Sequence, residues 1–195
     1  MEKRRFRAVG LLLIGLLCAL TACTAPADRL SPEEIEALRE NYPICREGPD
    51  LVSVRMDVPI EEYIERADTF VYGEVTGEVE YYTKDVVLRS ETFYRYTLTV
   101  LDDSEGVYEK GTRITLFANA LTESMHPKFQ DGMRIIAAVS AKEEDENLAS
   151  FGWNVFYVTE DGYVLSAFDE AESGTALFLS GLRVEDAMQA VKKEN

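Results

Sequence analysis

From Thr69 the chain switches to a period of two and holds it for about a dozen residues, and no other feature restricts its fold as much. Val71, Gly73, Val75, Gly77 and Val79 fall on one side, and Tyr72, Glu74, Thr76, Glu78 and Glu80 on the other. That alternation describes a long strand with a tight apolar face and a wet one. Two of the five inward positions are glycine. A glycine weakens a strand interior unless the sheet bends sharply there or another backbone crosses closely, and a small closed sheet demands this. The pattern therefore predicts that Gly73 and Gly77 both lie on the inner face of a strongly coiled strand. The next run repeats the logic, with Tyr94, Tyr96, Leu98 and Val100 set against Phe93, Arg95, Thr97 and Thr99.

The segments on either side supply the rest of such a sheet. Leu30-Ser31-Pro32-Glu33-Glu34-Ile35 carries an N-cap serine, a proline at the first helical position, a glutamate completing a capping box and a hydrophobic staple, and so predicts a helix over 31–41 that stops before Pro43. Leu51 to Met56 alternates in part and predicts a strand. Ile60, Tyr63, Ile64 and Ala67 then share one face of a short helix begun at Pro59. Arg113 to Ala118 is a third strand of the barrel, residues 119–132 a long loop holding His126, and Met133 to Val139 a strand apolar on both faces. Lys142 to Asn147, with four acids, reads as a solvated loop. Asp161-Gly162 between two apolar runs marks a hairpin, and Val184, Ala187, Met188 and Val191 mark a closing helix over about 183–193. The expected fold is mainly β (α+β): a small antiparallel barrel of five to six strands over about 51–168, with flanking N- and C-terminal helices, in a single domain spanning 31–195.

The N-terminus speaks to location. Lys3, Arg4, Arg5 and Arg7 precede an apolar run from Ala8 to Leu20, which is too short for the roughly 20 residues of a stable membrane span. Small residues follow at once, and then a cysteine. Leu20-Thr21-Ala22-Cys23 resembles the lipobox of bacterial lipoproteins. The resemblance implies a signal peptide over 1–22, acylation of the Cys23 sulfur, and a lipidated linker over 23–30. The expected place is the extracytoplasmic face of the cell membrane, or the outer membrane of a two-membrane bacterium, since Thr24 replaces the aspartate that retains some lipoproteins at the inner one. The membrane, reached through the lipid, is then the first partner.

A second resemblance covers about residues 67–168. Ala67-Asp68 leading into Val71-Tyr72-Gly73-Glu74-Val75, then Tyr96 to Val100, Ile114-Thr115-Leu116 and Gly132 to Ile136, looks like the OB-type barrel of netrin-like domains and of barrel domains in exported Gram-positive proteins. The cysteines of netrin-like inhibitors are missing, so protease inhibition does not carry over.

Composition narrows the function further. The chain has 20 Lys and Arg against 36 Asp and Glu, and between Asp68 and Ser140 there are 12 acids and 7 bases. That sign of charge repels phosphate backbones, so nucleic acid is not an expected partner, although many OB barrels bind it. Of three cysteines, Cys18 leaves with the signal and Cys23 is acylated. Cys45 then has no disulfide partner within the chain and reads as a small buried residue. One histidine and one free cysteine supply no structural zinc site, and no cofactor is implied. The residues expected on a binding surface are Tyr72, Tyr94 and Tyr96, from an aromatic set that also includes Tyr81, Tyr82 and Phe93. The leading expectation is a non-enzymatic, surface-tethered module that binds an envelope protein or glycan. The alternative is an envelope-associated hydrolase using His126 or a carboxylate pair.

Overall fold

A computed structural model describes residues 28–45, 59–86, 89–142, 145–168 and 178–193. The expected signal peptide, the expected lipobox with Cys23 and the strand expected over 51–56 lie outside the described residues. The chain is mainly β, a six-stranded mixed sheet with a few short helices.

Helix α1, Pro32–Leu38, begins as expected: the Ser31 hydroxyl accepts from the Glu34 amide, and the Glu34 carboxylate accepts from the Ser31 amide. It ends three residues short of the expected limit. Helix α2, Ile60–Arg66, has Pro59 as its N-cap and buries Ile60. Strands β1, Thr69–Val86, and β2, Arg89–Asp103, form a long antiparallel hairpin. β3 is Arg113–Asn119, and a 3-10 helix, Ala120–Met125, follows inside the segment expected to be a loop. β4 is Arg134–Lys142, and β5 is Asp145–Val158. Asp145 and Asn147 therefore belong to a strand, not to a solvated loop. β6, Val164–Ser166, completes the hairpin turned at Gly162. Helix α3, Val184–Ala190, closes the fold and stops short of the expected limit near 193, leaving Lys192 and Lys193 beyond its end.

The strand order is β3-β2-β1-β4-β5-β6, and β3 also pairs with β5. That last pairing, Thr115 to Phe117 against Leu148 to Ser150, is parallel, so the sheet is mixed where a purely antiparallel one was expected. It brings the two ends of β3-β2-β1-β4-β5 together as a partly closed ring. Inside sit Val71, Val75, Tyr94, Tyr96, Leu98, Val100, Ile114, Leu116, Ile135, Ala137 and Val139. Each is an inward position of its strand's alternation, as the period of two requires.

β4 is apolar on both faces for a visible reason. Its odd positions, Ile135, Ala137 and Val139, face the ring interior. Its even ones, Ile136 and Ala138, pack under α2 and α3 with Phe70, Phe156, Met188 and Val191. Each large side chain so buried contributes roughly 1.5–3 kcal/mol relative to exposure. A third cluster joins Ile35 of α1 to Tyr157, Leu165 and Ala167. The chain before α1 is clipped to the segment before α3: the Leu30 amide donates to the Gly181 carbonyl at 2.9 Å, and Arg29 Nε to the Ser180 carbonyl at 3.0 Å.

The two strand glycines differ. Gly73 fulfils the expectation, because a Cβ there would meet Leu98 Cγ at 2.6 Å and the Thr99 carbonyl oxygen at 2.7 Å. Gly77 does not. It has φ of 83° and nothing within 4 Å of an added Cβ, and it sits at the β1 irregularity between Thr76↔Thr97 and Glu80↔Arg95. Its role is backbone conformation at a bulge, not close packing.

Candidate functional site

Just before this bulge β1 parts from β4. Pairing between them ends at Glu74↔Arg134, and the chain before β4 takes over: the Val75 amide donates to the Met133 carbonyl at 2.8 Å, the Gly132 amide to the Val75 carbonyl at 2.9 Å, and the Gly77 amide to Asp131 Oδ1 at 2.6 Å. Val79 and Tyr81 continue along one wall. The 3-10 helix with residues 126–130 forms a second, and residues 40–45 after α1 a third. Together they enclose a cleft of about 1110 Å³.

Each wall is fixed locally. Asn119 caps the 3-10 helix, its Oδ1 accepting from the Leu121 amide at 3.0 Å. That sets Glu123 at the cleft mouth, where its carboxylate accepts from the Tyr81 hydroxyl. The bond holds the Tyr81 phenol above its ordinary pKa. One turn later His126 points inward, buried, with Nδ1 2.6 Å from the Tyr94 hydroxyl. Burial, followed by the nearby Glu123 charge, pushes the Tyr94 pKa far up. The phenol therefore keeps its proton, and which of the two atoms donates in this bond follows the imidazole tautomer. Phe129 stacks on Tyr96 with ring centroids 4.1 Å apart. On the third wall the Cys45 amide donates to the Ala167 carbonyl at 2.6 Å, and the Tyr157 hydroxyl to the Pro43 carbonyl at 2.9 Å.

His126, Ser124 and Cys45 all line this cavity, with His126 Nδ1 engaged by Tyr94. The thiol is poorly prepared for nucleophilic work. Burial raises it to about 11, against a hydrogen bond with Tyr157 that acts in the other direction, so near neutral pH it is a thiol, not a thiolate. Among the described residues no group of three or more His, Cys, Asp or Glu is placed to hold a metal ion.

The tyrosine surface expected from the sequence does not form. Tyr94 is 1% exposed and Tyr96 2%, because both share the inward parity of Leu98 and Val100. Tyr72 lies on the opposite face and is half-buried against the cluster under α2 and α3. Tyr94 does reach the cleft, as part of its floor. The aromatic that is exposed there is Tyr81, at 56%, beside Leu121 at 57% and Ile44 at 39%. Neither Ile44 nor Leu121 stands out in the sequence, since isolated apolar residues in loops carry no period. Comparison with known protein families and with characterised proteins gives no match, so the site is read from its own geometry.

Proposed function

We propose that this chain is a lipid-anchored, extracytoplasmic binding module whose ligand seats in the cleft between β1, the 3-10 helix and residues 40–45. One observation carries the reading. Of the five large hydrophobic side chains that are exposed among the described residues, Ile44, Tyr81 and Leu121 all line this cavity. Apolar surface left in water around one concavity is the mark of a ligand site, and a volume slightly above the roughly 300–1,000 Å³ range leaves room for a small ligand.

The fold reading behind it is an OB-type barrel. The ring order and the parallel β3–β5 pairing support it, as does a helical turn between β3 and β4. The anchor reading rests on the lipobox. Asp28 lies five residues beyond Cys23, so an extended linker of about 17 Å would hold the domain close to the bilayer.

The test uses Nile red, a neutral apolar dye. Its fluorescence should rise on the soluble domain and fall back in Leu121→Ser with Ile44→Ser, while circular dichroism stays unchanged. Equal dye binding by the double variant would remove the cleft from consideration. The hydrolase alternative, using His126 or a carboxylate pair, draws on His126, Ser124 and Cys45 lining that one cavity. Hydrolysis of p-nitrophenyl acetate that disappears in a folded His126→Ala variant would favour it over binding alone.

A further inference from the structure

The cleft mouth is not only apolar, and its charge points to a class of ligand. Glu123 is held there by the Tyr81 hydroxyl, and Glu40 lines the wall that follows α1; the basic side chains of the lining are the exposed Lys128 and the buried His126, whose Nδ1 is engaged by the Tyr94 hydroxyl. Aromatic rings run from the mouth inward: the exposed Tyr81 is tilted against the buried Tyr94 with centroids 6.4 Å apart, and Phe129 and Tyr157 also line the cleft. Ring faces and carboxylates favour the same partner. A ring quadrupole attracts a cation over its face, and a carboxylate attracts it by charge, more strongly where water is partly excluded. Both repel an anion, as does a chain of formal charge −16.

We propose, building on the cleft as a ligand site, that its ligand is a small organic cation: an ammonium group on an apolar body, the body lying among Leu121, Phe129 and Met133 and the charge resting between the Tyr81 ring and the Glu123 carboxylate. The Tyr81–Glu123 hydrogen bond makes the two elements one recognition unit. It joins β1 to the 3-10 helix and holds the exposed carboxylate at the hydroxyl end of the ring. A flat macromolecular interface would need a broad surface; this is a cavity of a size that encloses one small molecule.

Three probes of equal body separate the charge from the shape: 2-phenylethylammonium, 2-phenylethanol and phenylacetate, titrated into the soluble domain and followed by amide chemical shifts in NMR. The ammonium should bind about tenfold more tightly than the alcohol, with phenylacetate weakest. Glu123→Gln should bring the ammonium to the level of the alcohol, and added salt should weaken the ammonium alone. Val107→Ser, at an exposed apolar position outside the cleft, should bind all three as the wild type does. If the three probes bind alike and Leu121→Ser weakens each, the cleft stands as a site and the cationic class is overturned. If none shifts the amides of the cleft residues, both the class and the site are overturned.

Discussion

Gly73→Ala is the sharpest probe of the ring, because the space available for one methyl group is known. An added Cβ would stand 2.6 Å from Leu98 Cγ, 2.8 Å from Leu98 Cδ2 and 2.7 Å from the Thr99 carbonyl oxygen. Ordinary carbon–carbon contact needs about 3.5–4.0 Å, so the methyl is short by roughly 1 Å on one side and somewhat less on the other. Leu98 is fully buried and cannot swing away without displacing its neighbours in a close-packed interior. Thr99 is backbone, held in the β1–β2 ladder by Glu74↔Thr99. Overpacking of this kind costs about 1–3 kcal/mol. Removing a glycine from the unfolded chain returns only about 0.4–1 kcal/mol. A net loss of about 1–2 kcal/mol should lower the thermal midpoint by several degrees for a chain of this size. Chemical denaturation gives the measurement, with an unchanged slope against denaturant if only stability is altered. Gly73→Val should lose more than Gly73→Ala, while Glu74→Val, one residue away on the other face, should change little. Equal midpoints for Gly73→Val and Glu74→Val would refute the close approach of β2 on β1, and the ring with it.

Gly77 makes the opposite prediction: with φ of 83° and open space around it, Gly77→Asn should be tolerated better than Gly77→Val, because asparagine enters the left-handed region readily and β-branched residues do not; denaturation midpoints rank the two. Burial raises the phenols of Tyr94, Tyr96 and Tyr157 well above their ordinary value. The unfolded chain therefore loses those protons first, near pH 10, and stability present below that pH should fall as pH rises, by about 1.4 kcal/mol per unit for each tyrosine; midpoints that stay flat to pH 11 would contradict the burial. The buried Tyr108 hydroxyl has no hydrogen-bond partner among the described residues, so Tyr108→Phe should be neutral or stabilising by up to about 1 kcal/mol in the same assay. Cys23→Ser should abolish labelling by a fatty-acid analogue in cells, and label persisting on that variant would remove the anchor.

The parts of this fold that were legible in the sequence are those where one local rule acts alone. Ser31 and Glu34 form their capping box because the box involves only neighbouring residues. Val71, Val75, Leu98 and Val100 face inward because alternation decides it. Gly77 defeated the same reasoning: period and composition count it with Gly73, and only the pairing of Glu80 with Arg95 reveals the bulge. Tyr94 and Tyr96 were misplaced as surface by chemistry, since tyrosine is amphipathic and suits an interface, whereas parity places them inside. The parallel β3–β5 pairing joins segments about 30 residues apart in sequence and leaves no local signal. The cleft is less legible still, because its walls come from three separate stretches, and Ile44, Tyr81 and Leu121 meet only in the folded chain.

The bulge that obscured the reading of β1 is also what bounds the cleft, and Asp131 is its fastening. After Val75, β1 stops pairing with β4 and diverges, and the Gly77 amide is caught at 2.6 Å by Asp131 Oδ1. Val79 and Tyr81 then stand off from Phe129 and Met133, with the cavity between them. Loss of the Asp131 carboxylate should let this stretch of β1 shift, while the ring interior below stays packed. Asp131→Ala should thus weaken Nile red binding several-fold while lowering stability by no more than about 1 kcal/mol, because the bond is exposed and water replaces it. Asp131→Asn retains an acceptor at the same reach and should restore most of the binding. An Asp131→Ala variant that binds the dye like the wild type would show that the cleft keeps its shape without the fastening, and that the bulge does not set the site's width.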